Sequence, residues 1–183
     1  MGDQLLIRLC SPTLAGLKTG NLFTVECDDR DKFNCEVRDF NSRLSSKGIR
    51  MIPVRFFRGH VLIYLYRPSH LKRDFANEEV CRILKDKGYS YNNCELCVAQ
   101  LAKHLAKDPV FPHEIGLFLG YPVEDVLGFM NSPEEGVKYV GFWKVYGDKA
   151  SALKTFDKYK KCTEIYKKAH SKGRTLEQLT VAG

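Results

Sequence analysis

The chain has 183 residues, 44% hydrophobic and 28% charged, with a formal charge of +7 at pH 7. That balance describes an ordinary globular protein able to bury a sizeable core, and excludes a fibrous or disordered chain. Its longest strongly apolar run, Val61–Tyr66, is strand-sized and far short of the ~20 residues that span a bilayer, so no membrane partner is expected.

The first expected element is a short helix over about 12–20. Ser11 is a good N-cap and Pro12 suits the first helical position, where its missing N–H costs nothing. Arg30–Ser46 reads as an amphipathic helix, because Phe33, Val37, Phe40 and Leu44 fall on one stripe and Gly48 follows as a C-cap. Ile49–Phe57 and Val61–Arg67, rich in β-branched and aromatic residues, form a hairpin around Arg58-Gly59-His60, with Val61–Tyr66 the more buried strand. Pro68-Ser69 opens helical segments to about Lys87, with Gly88 as a stop. Asn92-Asn93 caps a helix to about Ala106, and Phe111–Asn131 forms two short helices around Gly120-Tyr121-Pro122. Val137–Tyr146 is expected as a third strand and 148–170 as a long final helix. This order predicts an α+β fold: a small, mostly antiparallel sheet of about three strands packed by helices. The expected organisation is one domain, 1–183, with 68–131 a helical insertion or subdomain.

If the first helix starts at Ser11-Pro12, the thiol of Cys10 lies off its positive end, a position that favours thiolate and nucleophilicity. Two histidines compete as its base. His113, in Phe111-Pro112-His113-Glu114, is expected at a helix start, where an imidazole tends to stay neutral. His60 stands at the entrance of the strand after it. A helix-start cysteine followed by a strand-start histidine resembles the arrangement of papain-like hydrolases and transferases. A third, orienting residue could be Asp148, Glu114 or Asp125.

Cys94-Glu-Leu-Cys97 is a CxxC, but Cys94, Cys97, Val98, Leu101, Ala102 and Leu105 form an unbroken helical stripe that explains both thiols as core. A structural zinc would need two more ligands, and no second CxxC or HxxxH is present. Neither GxxxxGK[ST], GxGxxG nor HExxH occurs. His113–Met130 resembles a helix-turn-helix, yet its second helix offers Glu124 and Asp125 to a phosphate backbone, so nucleic acid is an unlikely target there. No metal and no cofactor is expected.

Seven cysteines, odd in number and irregularly spaced, and a start without a charged n-region or apolar core, point to free thiols and a cytoplasmic setting. The charge is uneven. Lys47–Phe75 has seven bases and one acid, and Lys138–Arg174 has eleven bases and three acids, whereas Glu26–Asp39 has six acids and three bases. Such asymmetry fits an acidic partner, which could be nucleic acid, a phosphorylated ligand or an acidic protein, whereas the C-terminal stretch by itself reads first as a lysine-rich solvated helix face.

Three segments carry a family resemblance: Cys10–Phe23, Phe111–Phe129 and Gly141–Asp148. They resemble a bacterial family known as domain of unknown function 3793, over about residues 5–180. The resemblance implies no activity, but it places Cys10, His113 and Asp148 in signature segments and leaves His60, Cys94 and Cys97 outside them.

Two functions are expected from these readings. One is a cysteine acyltransferase or hydrolase acting on a thioester, ester or amide, with Cys10 as nucleophile and His113 or His60 as base. Its substrate would be presented by an acidic protein such as an acyl-carrier protein. The other is a non-catalytic binding or regulatory protein whose basic faces dock an acidic protein or nucleic acid.

Overall fold

The computed structural model describes residues 1–107 and 111–183. It is an α+β fold in which one three-stranded antiparallel sheet carries helices on both faces. The strands are β1 (Gly20–Glu26), β2 (Arg50–Phe57) and β3 (His60–Tyr66), in the order β1-β3-β2. The central strand explains its own composition. Val61, Ile63 and Leu65 point into one core and Leu62, Tyr64 and Tyr66 into the other, so both sides of β3 are buried and the strand reads as a continuous apolar run.

The first core lies under α1 (Asp3–Leu14) and α2 (Arg30–Leu44), with Leu6, Ile7, Cys10 and Leu14 from one helix and Phe33, Val37, Phe40 and Leu44 from the other. The opposite core lies under α3 (Pro68–Asp74), α4 (Glu78–Asp86), α5 (Cys94–Lys107), α6 (Ile115–Phe118) and α7 (Val123–Asn131). A two-stranded hairpin, β4 (Tyr139–Val140) and β5 (Lys144–Val145), leads into α8 (Lys149–His170), which packs along α1. A last turn of helix, α9 (Leu176–Leu179), returns Leu176 to the first core. Among the described residues, no helix is long and apolar enough to cross a membrane.

The α2 stripe, the β2–β3 hairpin and α8 lie where the sequence predicts them. The hairpin turns through Arg58 and Gly59, both at positive φ (45° and 73°), the backbone that matches strand twist in a two-residue turn. The sheet order leaves β2 at an edge, where Pro53 is tolerated beside a register shift between Pro53 and Arg55.

Two elements differ from expectation. The first helix runs over 3–14 rather than 12–20, and Pro12 sits in its last turn. The stripe Leu6, Ile7, Cys10 and Leu14 decides its position, overriding the Ser11-Pro12 start signal. The third strand of the main sheet is β1, not 137–146, whose strands of two residues each form a separate hairpin.

Candidate functional site

Cys10 is fully buried inside α1 and nowhere near a helix start. Burial pushes its thiol up to about 12, and the nearby Lys18 charge offsets only part of that rise. The expected activation by a helix N-terminus therefore does not operate, and no papain-like arrangement is shown. His113 is exposed, in a turn preceding α6 rather than at its first position, with its ring edge-on to Phe129 at 5.0 Å. It belongs to the helices covering one sheet face, whereas Cys10 lies in the core on the other. His60 is exposed at the hairpin, its Nδ1 2.9 Å from the Arg58 carbonyl oxygen. It opens β3 opposite Glu26, at the end of the strand away from Tyr66 and the α1 C-terminus. Among the described residues, no histidine is hydrogen-bonded to Cys10.

Asp148 caps α8, accepting the Ser151 N–H at 3.1 Å. Of the other two carboxylates, buried Asp125 accepts the indole N–H of Trp143 (2.6 Å) and the N–H groups of Tyr146 and Gly147 (2.8 Å each). Buried Glu114 accepts from Tyr89 Oη at 2.9 Å, and Tyr89 in turn contacts His104 Nδ1 at 3.1 Å. Cys94 and Cys97 face the core from α5, as the stripe predicts, and burial raises Cys97 to about 11. Native-state alkylation with iodoacetamide should accordingly reach Cys10 at least about 100-fold more slowly than exposed Cys35. Fastest labelling at Cys10, read by peptide mass spectrometry, would restore the nucleophile.

Two features have more chemical content: Lys18, which the sequence does not single out, and the alignment of the α8 lysines, which the sequence shows only as charge. The first surrounds Lys18. After α1 the chain turns through Gly16, and the turn is held by Tyr159 Oη donating to the Leu17 carbonyl (3.3 Å) and Thr19 Oγ1 donating to Asp74. Lys18 folds back under α1, donating to Asn21 Oδ1 at 3.0 Å, and its Nζ lies 5.4 Å from the Tyr121 ring centroid. The residue is only 7% exposed and has no carboxylate within ion-pair distance among the described residues. Burial lowers its amine to about 8, against the opposing pull of Cys10. Tyr121 stacks on Trp143, centroids 4.8 Å apart, so Lys18, Tyr121 and Trp143 join the three segments on which the family resemblance rests. Gly120, at φ 74°, makes this contact possible, because a Cβ there would stand 2.7 Å from Thr19 Cβ.

The second is the outer face of α8. At 3.6 residues per turn, Lys154, Lys158, Lys161, Ile165 and Lys168 fall within an arc of roughly 80°, opposite Ala152, Phe156 and Tyr159 in the core. All five are exposed, Ile165 by 64%. The helix carries seven lysines and two acids, and among the described residues its one ion pair is Lys167–Glu164. The basic face continues into a groove of about 810 Å³ between α1 and α8, bordered by Arg8, Lys167, Lys168 and His170.

The profile described as "Protein of unknown function (DUF3793)" matches residues 6–180. The chain belongs to this family. No curated protein and no solved structure matches it. Membership covers the core helices, the sheet, the Lys18 cluster and the whole of α8.

Proposed function

We propose that this protein is a non-catalytic docking module that binds an acidic protein partner through the outer face of α8. The observation that carries this reading is the stripe Lys154, Lys158, Lys161 and Lys168 around the exposed Ile165. Lysines at i, i+3 and i+4 repel one another and cost the helix about 0.2–0.5 kcal/mol per pair, whereas interspersed acids would give solubility without that cost. An apolar knob ringed by like charges has the anatomy of an interface, a dry centre with a polar, steering rim. The same knob favours an acidic protein over nucleic acid, since an exposed apolar centre finds a counterpart in a protein interface and none on a phosphate backbone. The acyl-transfer reading has weaker support, because its nucleophile is buried and its two candidate bases lie apart from it.

The test uses a purified acyl-carrier protein as the acidic-helix probe and a duplex DNA as the rival. Fluorescence anisotropy should show binding of the carrier protein that weakens steeply between ~50 and ~200 mM salt. The triple variant K154E/K158E/K161E should lose about 30-fold or more, with helicity retained by circular dichroism. Ile165→Ser should weaken binding about tenfold while leaving the salt dependence in place. Tighter binding of the duplex through the same lysines would replace the protein partner by nucleic acid. Failure of both probes, or binding indifferent to the triple variant, overturns the proposal.

A further inference from the structure

We propose that Lys18 forms an imine with a small carbonyl compound carrying an anionic group, bound in the cleft between the 15–19 turn, α3 and Tyr121. This site lies apart from the α8 stripe and does not depend on the docking reading.

The cleft has a volume of about 420 Å³, enough for a ligand of a few carbon atoms, and Lys18, Thr19, Arg73, Asp74, Tyr121 and Tyr159 line it. Lys18 differs from every lysine of α8. Those are exposed, whereas its ammonium is enclosed by the protein and held by a neutral amide oxygen rather than a carboxylate. Enclosure without a counter-charge favours the neutral amine, the form that attacks carbonyl carbon. With its amine near 8, roughly a tenth of Lys18 is neutral at pH 7, against well under a thousandth of a solvent lysine.

The other wall supplies the anion's partner. Arg73 is tied to Asp74 Oδ1 through Nε and Nη2, at 3.1 and 3.0 Å. Its Nη1 donates to no protein atom among the described residues and can hold a carboxylate or phosphate. Asp74 is itself committed to Thr19 and Arg73, which fixes the guanidinium at the mouth of the cleft.

The chemistry balances without an added oxidant or reductant. The Nζ lone pair attacks the carbonyl carbon, and the proton released by nitrogen passes to the oxygen. The carbinolamine then expels that oxygen as water while the C=N bond forms.

The experiment uses the intact wild-type protein with glyoxylate, the smallest oxo acid, and cyanoborohydride to trap the imine, followed by peptide mapping. Lys18 should be modified at least about 30-fold faster than Lys158 at mildly alkaline pH, the rate should rise through about pH 8, and the preference should vanish in urea. Arg73→Gln should slow the glyoxylate reaction several-fold and leave the corresponding reaction with formaldehyde, which bears no anion, unchanged. Lys18 reacting no faster than Lys158, or only near the pH at which surface lysines react, overturns the site. Equal sensitivity of both aldehydes to Arg73→Gln overturns the anionic part.

Discussion

Replacing Arg67 with methionine is expected to lower the unfolding free energy by about 2–4 kcal/mol, through the loss of charge-assisted hydrogen bonds to four carbonyls. Arg67 has no exposed surface and, among the described residues, no carboxylate partner. Its guanidinium donates to the carbonyls of Thr13 and Leu14 (2.6 Å each), Val181 (2.7 Å) and Lys47 (3.4 Å). Two of these stand at the negative end of α1, where a cation is favoured, and each also accepts one backbone N–H, Thr13 from Gly16 (3.1 Å) and Leu14 from Val181 (3.0 Å). Methionine matches the stem but removes one charge-assisted bond from each of these, and it leaves the Val181 and Lys47 carbonyls without a protein donor among the described residues. Lysine should restore little, since one ammonium cannot span three chain segments as a planar fork does. Urea denaturation measures the difference, and a loss below about 1 kcal/mol would mean that water replaces the guanidinium.

Asp125→Asn is the second large expectation, at about 2–3 kcal/mol. The carboxylate collects three N–H groups from the loop 143–147 onto α7. An asparagine oxygen can keep the backbone N–H groups of Tyr146 and Gly147, but its amide nitrogen then faces the Trp143 indole N–H, donor against donor. Adding Trp143→Phe removes that clash. The double variant should therefore be more stable than the sum of the two single losses by about 1–3 kcal/mol in thermal unfolding, although Trp143 also packs on Tyr121 and Phe156. Strict additivity would show that the indole bond carries no stability.

What could be read from residues alone was whatever depends on near neighbours. Phe33, Val37, Phe40 and Leu44 declare α2 by spacing, and the apolar run of β3 announces a strand covered on both sides. The start of α1 was misplaced because a local signal, Ser11-Pro12, competed with a stripe recognisable only once the sheet is there to receive it. β1 was overlooked because its partner β3 lies some forty residues on, across α2 and β2. Lys18 was invisible for the same reason. Between Leu17 and Thr19 it reads as a loop lysine, and its burial comes from Tyr121 and α1, which no window of sequence contains. The lysines of α8 were legible as charge, but their alignment around Ile165 needed the helix register.

The four carbonyls gathered by Arg67 lie up to 114 residues from it along the chain. Contacts of such sequence separation require β3, α1 and the final turn to have met, and we expect them to form after the rate-limiting barrier. Stabilisation acquired after the rate-limiting barrier slows escape from the native state and leaves its formation rate unchanged. Arg67 is in that sense a kinetic latch. Its loss should show as a raised unfolding limb of the chevron over an unaltered refolding limb, shortening the lifetime of each folded molecule more than it delays the folding of a new one.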